Sequence, residues 1–265
     1  MATYVFSDIH GHAAPLRRLL ERIAPSDEDR FFCLGDMIDR GPDPLGVIET
    51  VRALPNVCVL SGNHEDLMLS WVHDPLGGST LLDWAINGGG MTLRGYEALD
   101  EEGREELVAW IESLPAYAVC TVAGRTYVLV HAGILPYRGP ARTWDEDALE
   151  AFLCASDPQD LMWVRNEFWD NPTGLLDSEG NGPIVIAGHT PTLYLKDSPS
   201  ATDRPVLDEG GACQSVRVGD AHLSGGVYDK WNIDSGCAGG PGFGQVTIIR
   251  LDDGAEFREP IAEGE

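Results

Sequence analysis

Lysine is almost absent from this chain. Lys196 and Lys230 are the only two, and 18 basic residues in all stand against 43 acidic ones, for a formal net charge of −25. A balance of that sign argues against nucleic acid or an anionic membrane as a main partner, because both bind basic patches. Paired thiols are missing too. The six cysteines, at 33, 58, 120, 154, 213 and 237, form no C-x-x-C, so no thiolate metal site is expected. Cys33, Cys58 and Cys120 fall in or beside apolar runs and read as small buried residues suited to a reducing cytosol. No apolar run is long enough to span a membrane. Neither an internal repeat nor a linker interrupts the 265 residues, 43% hydrophobic content suffices for a sizeable core, and the length suits one large domain or two small ones.

What the chain does carry is one loop pattern, written three times. Tyr4-Val5-Phe6, Phe31-Phe32-Cys33-Leu34 and Val57-Cys58-Val59-Leu60 are apolar and short enough to be buried strands. Each runs into Ser or Gly and then into side chains able to hold a metal. These loops are Ser7-Asp8-Ile9-His10-Gly11, Gly35-Asp36-Met37-Ile38-Asp39-Arg40-Gly41-Pro42 and Ser61-Gly62-Asn63-His64-Glu65. A helical stripe follows the first at Leu16, Leu19, Leu20 and Ile23. Another follows the second, with Asp43 as N-cap, Pro44 as the first helical residue and Leu45, Ile48, Val51 and Leu54 facing inward. A third helix starts at Glu65 and runs through Met68 and Trp71. The pattern predicts a βαβαβ unit of parallel strands. It places all three loops at strand carboxyl ends, where open α/β sheets hold their ligands.

Asp8-x-His10, Gly35-Asp36-x-x-Asp39-Arg40 and Gly62-Asn63-His64-Glu65 resemble the signature of the metallophosphoesterases. His131-Ala132-Gly133 and Gly188-His189-Thr190 follow in that family's order. The forms Asp39-Arg40-Gly41-Pro42 and Asn63-His64-Glu65 are similar in particular to the phosphoprotein phosphatases, nearest their bacterial and phage members. The resemblance implies an α/β fold of two packed mixed β-sheets flanked by helices, the calcineurin-like sandwich, as one domain over 1–265. It implies two divalent cations, Mn first, with Fe or Zn as alternatives. Asp8, His10 and Asp36 would hold one, and Asp36, Asn63, His131 and His189 the other, with a water or hydroxide between them as nucleophile. Arg40, and Arg165 in Leu161-Met162-Trp163-Val164-Arg165, would clamp phosphate. His64 would be the general acid, oriented by Asp39. With Asp8 and His10 in that set, a removable leader is not expected, and a cytoplasmic location is.

Beyond the third helix the period breaks. Residues 74–95 hold Gly77-Gly78 and Gly88-Gly89-Gly90 around Trp84, and predict an irregular insert or short helical pair near the site mouth. An acidic helix over 101–113 precedes a hairpin, 117–121 and 125–130, that turns at Ala123-Gly124 and delivers His131. Pro136–Thr143 is expected as a loop, Glu146–Leu153 as a helix, Ile184–Ala187 as a strand leading to His189, and Lys196–Gly211 as a loop. From Ser215 onward, strand-like runs predict a second, mainly antiparallel sheet packed on the first, then a frayed tail over Glu259–Glu265. His12, His73 and His222 are not expected as ligands. Asn232 and Asp234, in a loop similar to one near the family's site, are expected to be structural.

The leading functional expectation is a metal-dependent phosphomonoesterase acting on phosphoserine and phosphothreonine in proteins. The alternative keeps the machinery and changes the substrate, to a dinucleoside polyphosphate such as diadenosine tetraphosphate or to small phosphoesters broadly. The Asp-Arg-Gly-Pro and His-Glu forms weigh against that alternative. A third reading, a catalytically dead scaffold, conflicts with the retention of every ligand.

Overall fold

In the computed structural model, which describes residues 1–140 and 142–265, ten strands form two five-stranded sheets packed face to face. In chain order the elements are β1 (Thr3–Phe6), α1 (Ala13–Ile23), β2 (Arg30–Cys33), α2 (Pro44–Arg52), β3 (Val57–Val59) and α3 (Asn63–His73). Next come α4 (Gly78–Ile86), α5 (Gly90–Ala98), α6 (Glu101–Glu112), β4 (Tyr117–Val122), β5 (Arg125–Val130), α7 (Glu146–Cys154), α8 (Pro158–Trp163) and α9 (Asn166–Trp169). The chain closes with β6 (Ile184–Ala187), β7 (Val216–Val218), β8 (Lys230–Asn232), β9 (Gln245–Arg250) and β10 (Ala255–Pro260).

Side-chain alternation explains the layering. In β1, Tyr4 and Phe6 point outward to a core shared with Leu16 and Leu19 of α1, while Val5 points to the other face. β2 repeats this with Phe31 and Cys33 outward and Phe32 inward. Across the interface, Leu129 of β5, Ile186 of β6 and Trp231 of β8 meet Val5 and Phe32, and Val128 and Val185 face away toward Leu149, Leu153 and Phe168. Period two thus gives each central strand two apolar faces, and the order is helices, sheet, sheet, helices. Each fully buried Val, Leu or Phe adds about 1.5–3 kcal/mol, so the middle layer alone accounts for much of the fold's cohesion.

The βαβαβ reading holds: β1, β2 and β3 are parallel and adjacent. Asp43 caps α2 by accepting from the Gly46 N–H, with Pro44 at the first turn. The third helix begins at Asn63 rather than Glu65, because Glu65 folds back to accept from the Gly62 N–H and closes the turn earlier. Residues 74–95 resolve into the short helical pair α4 and α5. Position 141, within the expected Pro136–Thr143 loop, lies outside the described residues.

Three expectations fail at the C-terminal end. The second sheet is mixed, order β4-β5-β6-β8-β7, with β5, β6 and β8 parallel. The last strands do not join it. β9 pairs antiparallel with β1, Val5 opposite Ile249, and extends the first sheet. Val246 and Ile248 face one core and Ile249 and Leu251 the other, so β9 needs cover on both sides, which the place beside β1 provides. The tail is not frayed either. Ile261 is buried, Arg18 pairs with Glu259 and Glu265, and His12 Nδ1 meets the Glu265 carbonyl at 2.8 Å. One apolar anchor and a guanidinium on α1 hold it down.

Candidate active site

Five strands end at one rim. β1, β2 and β3 deliver Asp8 and His10, Asp36 and Asp39, and Asn63 and His64; β5 and β6 deliver His131 and His189. The sheets are stitched together there: the His131 Nδ1–H donates to the Leu34 carbonyl at 2.8 Å, and the His189 amide donates to the Asp8 carboxylate at 3.0 Å. Loops pack backbone to backbone. Gly35 has φ +94, and a Cβ on it would lie 2.5 Å from the Gly62 nitrogen, so only glycine fits. Among the described residues nine non-glycine residues have positive φ, and six of them are Asp8, His10, Asp36, Asp39, Arg40 and His189. Such left-handed backbone costs about 1–2 kcal/mol per residue, and here it concentrates where side chains must converge.

The convergence fits cations. Within the described residues, His10, Asp36 and His64 present ligand atoms within 4.8 Å of one another, and so do Asp36, His131 and His189. Asp36 is common to both. Its oxygens lie 3.5 Å from His10 Nε2 and 3.4 Å from His131 Nε2. Asn63 Oδ1 stands 2.9 Å from His131 Nε2 and 2.7 Å from His189 Nδ1. His131 already spends its other nitrogen's proton on Leu34. Burial holds His10, His131 and His189 below the ordinary imidazole value, which favours neutral rings. At His131 this leaves an imidazole lone pair facing an amide oxygen, a meeting of two acceptors that a positive ion resolves. Burial first, then nearby Asp8 and Glu65, pushes the Asp36 carboxyl well up, the mark of a site short of positive charge. The His10 Nδ1–H donates to the Ile38 carbonyl at 3.1 Å, which turns its Nε2 toward Asp36 and Arg40.

His64 and Asp39 are arranged differently. His64 Nδ1 sits 2.6 Å from Asp39 Oδ2, which also accepts from Trp84 Nε1 at 2.8 Å. Asp39 Oδ1 accepts from Thr92 Oγ1 at 2.5 Å. Burial opposes a charged His64 ring, but Asp36 and Asp39 outweigh it and raise its pKa. Arg40 spans the two imidazoles that face it, 3.1 Å from His10 Nε2 and 2.9 Å from His64 Nε2. Arg165 is exposed, donates to the His189 carbonyl at 3.3 Å and lines the same cavity as Arg40. The expected residues therefore come together: Asp8, His10, Asp36, Asp39, Arg40, Asn63, His64, His131, Arg165 and His189 meet at one rim.

Four residues to which sequence reasoning assigned no site role support them. Trp84 and Thr92 come from the insert and hold Asp39. The buried Glu65 carboxylate accepts from the amides of Asp36 and Met37, both at 2.9 Å, and ties two loops together. Lys230 is fully buried and donates to the carbonyls of Phe168, Trp169 and Asn171 at 3.0, 3.0 and 2.6 Å, securing the segment that carries Arg165. A lysine inside Lys230-Trp231-Asn232-Ile233, in a chain with only two, was the available signal. Asn232 donates to the Thr190 carbonyl at 2.8 Å and Asp234 accepts from the Gly236 amide, bonds that hold their loop beside the rim.

The family profile described as calcineurin-like phosphoesterase matches residues 1–223. The chain belongs to the calcineurin-like phosphoesterases. Among curated relatives, a symmetrical bis(5'-nucleosyl)-tetraphosphatase of Dechloromonas aromatica is 30% identical across 97% of this chain and 95% of its own. One from Aromatoleum aromaticum is 28% identical across 97% and 96%. Among solved structures, a protein serine/threonine phosphatase from Saccharomyces cerevisiae superposes with a TM-score of 0.53 at 15% identity, covering 100% of this chain and 81% of that one. That last likeness is one of fold alone. As a calcineurin-like phosphoesterase the chain is a hydrolase of phosphoesters, and the family implies a binuclear divalent centre that the two clusters sharing Asp36 fit. The expectation that Asp39-Arg40-Gly41-Pro42 and His64-Glu65 side with the protein phosphatases is not what the likeness favours.

Outward from the rim runs a cavity of about 550 Å³. Arg40, Arg165, His189 and Thr190 line its inner end, and Trp169, Asp170, Tyr194 and Asp197 lie among its other walls. No helix among the described residues is long and apolar enough to cross a membrane.

Proposed function

We propose that this calcineurin-like phosphoesterase hydrolyses dinucleoside tetraphosphates in the middle, adding one water and releasing two nucleoside diphosphates. The observation that carries the reading is the likeness, along nearly the whole chain, to relatives named symmetrical bis(5'-nucleosyl)-tetraphosphatase. Asp8, His10 and Asp36 would hold one divalent cation, and Asp36, Asn63, His131 and His189 a second. A hard or borderline ion such as Mn, Fe or Zn suits this mixture of oxygen and imidazole, and Mn is our choice. The bound pair would supply charge neutralisation and an activated water. The six cysteines are free, which suits a reducing compartment such as the cytoplasm.

The chain's own groups do the rest. Arg40 and Arg165 stand at the inner end of the cavity and can fork onto phosphate oxygens on the substrate side. The His64 ring, held by Asp39, presents its other nitrogen toward Arg40 and Asp36, where a leaving oxygen would take a proton. That proton matters most for an alkoxide, less for a phosphate oxygen that leaves as a stable anion. His64→Asn is therefore expected to lose on the order of 10²–10⁴-fold on a phosphoserine peptide and much less on diadenosine tetraphosphate or p-nitrophenyl phosphate. Equal losses on all three would remove the acid role.

A second reading, phosphoserine and phosphothreonine hydrolysis, is favoured by one observation: the His64–Asp39 pair is fully built, and an alkoxide leaving group needs it most. Product analysis with the Mn-loaded chain separates the two. Our reading expects diadenosine tetraphosphate to yield ADP alone. Failure to cleave it, with brisk turnover of a phosphoserine peptide, hands the site to the second reading.

A further inference from the structure

Resting on the dinucleoside reading, we propose that the cavity outward of Arg40 and Arg165 is a nucleoside subsite in which a nucleobase stacks on Tyr194. The charge along the cavity sorts the substrate. Guanidiniums at the inner end draw phosphates, whereas Asp170 and Asp197 repel phosphate and accept from hydroxyl and amino donors, the groups a ribose and a base edge present. Tyr194 is 71% exposed, a large aromatic left bare on the cavity wall. Its base is rigid: Thr192 donates its amide to the Asp234 carbonyl at 3.1 Å, and Leu195 is buried in the core. An anchored aromatic with a free face is the platform on which bases stack irrespective of sequence.

The test compares the wild type, Tyr194→Ala and Tyr194→Phe, all Mn-loaded, on diadenosine tetraphosphate and p-nitrophenyl phosphate. Tyr194→Ala is expected to raise KM for diadenosine tetraphosphate by about 5- to 100-fold, the worth of one base–aromatic stack. It should leave kcat and p-nitrophenyl phosphate turnover unchanged, and Tyr194→Phe should restore the wild-type KM. On the metal-free chain, calorimetry should find ADP binding weakened in Tyr194→Ala by a similar factor. If the wild type cleaves diadenosine tetraphosphate and Tyr194→Ala does so with the same KM, the subsite is wrong and the functional reading survives. If the wild type turns over p-nitrophenyl phosphate but not diadenosine tetraphosphate, the functional reading falls and the subsite falls with it.

Discussion

Asp36 and Asp39 stand three residues apart, are both buried and both approach His64, yet the chain holds them by different means. Asp36 belongs to the sheet rim. The His64 amide donates to its Oδ1 at 3.0 Å, and its other neighbours are imidazoles, His10, His64 and His131, at 3.4 to 3.9 Å. Its oxygens face acceptors and keep lone pairs free. Asp39 belongs to the α4–α5 insert. Trp84, Thr92 and His64 donate to it, so both its oxygens are already engaged. A carboxylate that accepts from three donors has little left for a cation, whereas Asp36 accepts from one amide and keeps lone pairs for a cation. The same residue type thus stands open to a cation at one position and anchors an imidazole at the other.

The sharpest way to break this comparison is Asp36→Asn. The amide keeps one oxygen for the His64 N–H but removes the charge common to both clusters. Metal analysis should find the pair reduced to at most one ion, and turnover of every substrate should fall by on the order of 10³-fold. The metal-free variant should be more stable than metal-free wild type, by about 2–4 °C in thermal midpoint. Burial and Asp8 press against a charged Asp36, and the substitution relieves that pressure at neutral pH. An inactive variant that keeps both ions would deny Asp36 its bridging place.

The two carboxylates also mark how far the sequence could be read. Asp36 was legible as a candidate because its setting is local: an apolar strand, a glycine, a charged loop. The same loop pattern singled out Asp8 and Asn63, whereas the candidacy of His131 and His189 came from the order of the family's motifs. Asp39's partners were not legible, since Trp84 and Thr92 lie 45 and 53 residues downstream in a stretch without period. Nothing in Trp84's neighbours says that its indole N–H meets a carboxylate. β9 failed for a related reason: alternation tells that a strand is buried on both faces but not which sheet receives it. The substrate presented the same difficulty at larger scale. The motifs are local, whereas the cavity walls at Trp169 and Tyr194 are assembled from α9 and a turn after β6.

Trp84→Phe sharpens the comparison from the Asp39 side. It keeps an aromatic ring where Trp84 is 1% exposed and deletes only the N–H. Turnover of a phosphoserine peptide should fall about tenfold, the worth of one hydrogen bond to a charged group, while p-nitrophenyl phosphate turnover and metal content stay near wild type. Loss of metal in this variant would show that the insert supports the ligand cluster as well, and the division between the two carboxylates would blur.

A third carboxylate, far from the rim, supplies the reference for what pairing alone does. Glu256 on β10 accepts from Arg204 and Arg258, and Arg204 also donates to the Ser215 carbonyl beside β7, so the pair bridges the edges of the two sheets. Burial works to raise the Glu256 pKa, but the two guanidiniums prevail and hold it below its ordinary value of 4.5. A carboxylate depressed on folding adds stability that is fully present above its unfolded pKa and is lost as pH falls through the folded one. Glu256→Gln should therefore lower the thermal midpoint by about 2–4 °C at pH 7, corresponding to about 1 kcal/mol. The gap from wild type should close below about pH 4, and activity on any substrate should not change. A gap that persists unchanged into acid would mean that Glu256 acts through packing rather than charge, whereas a loss of activity would join the sheet edge to the rim that Asp36 and Asp39 share.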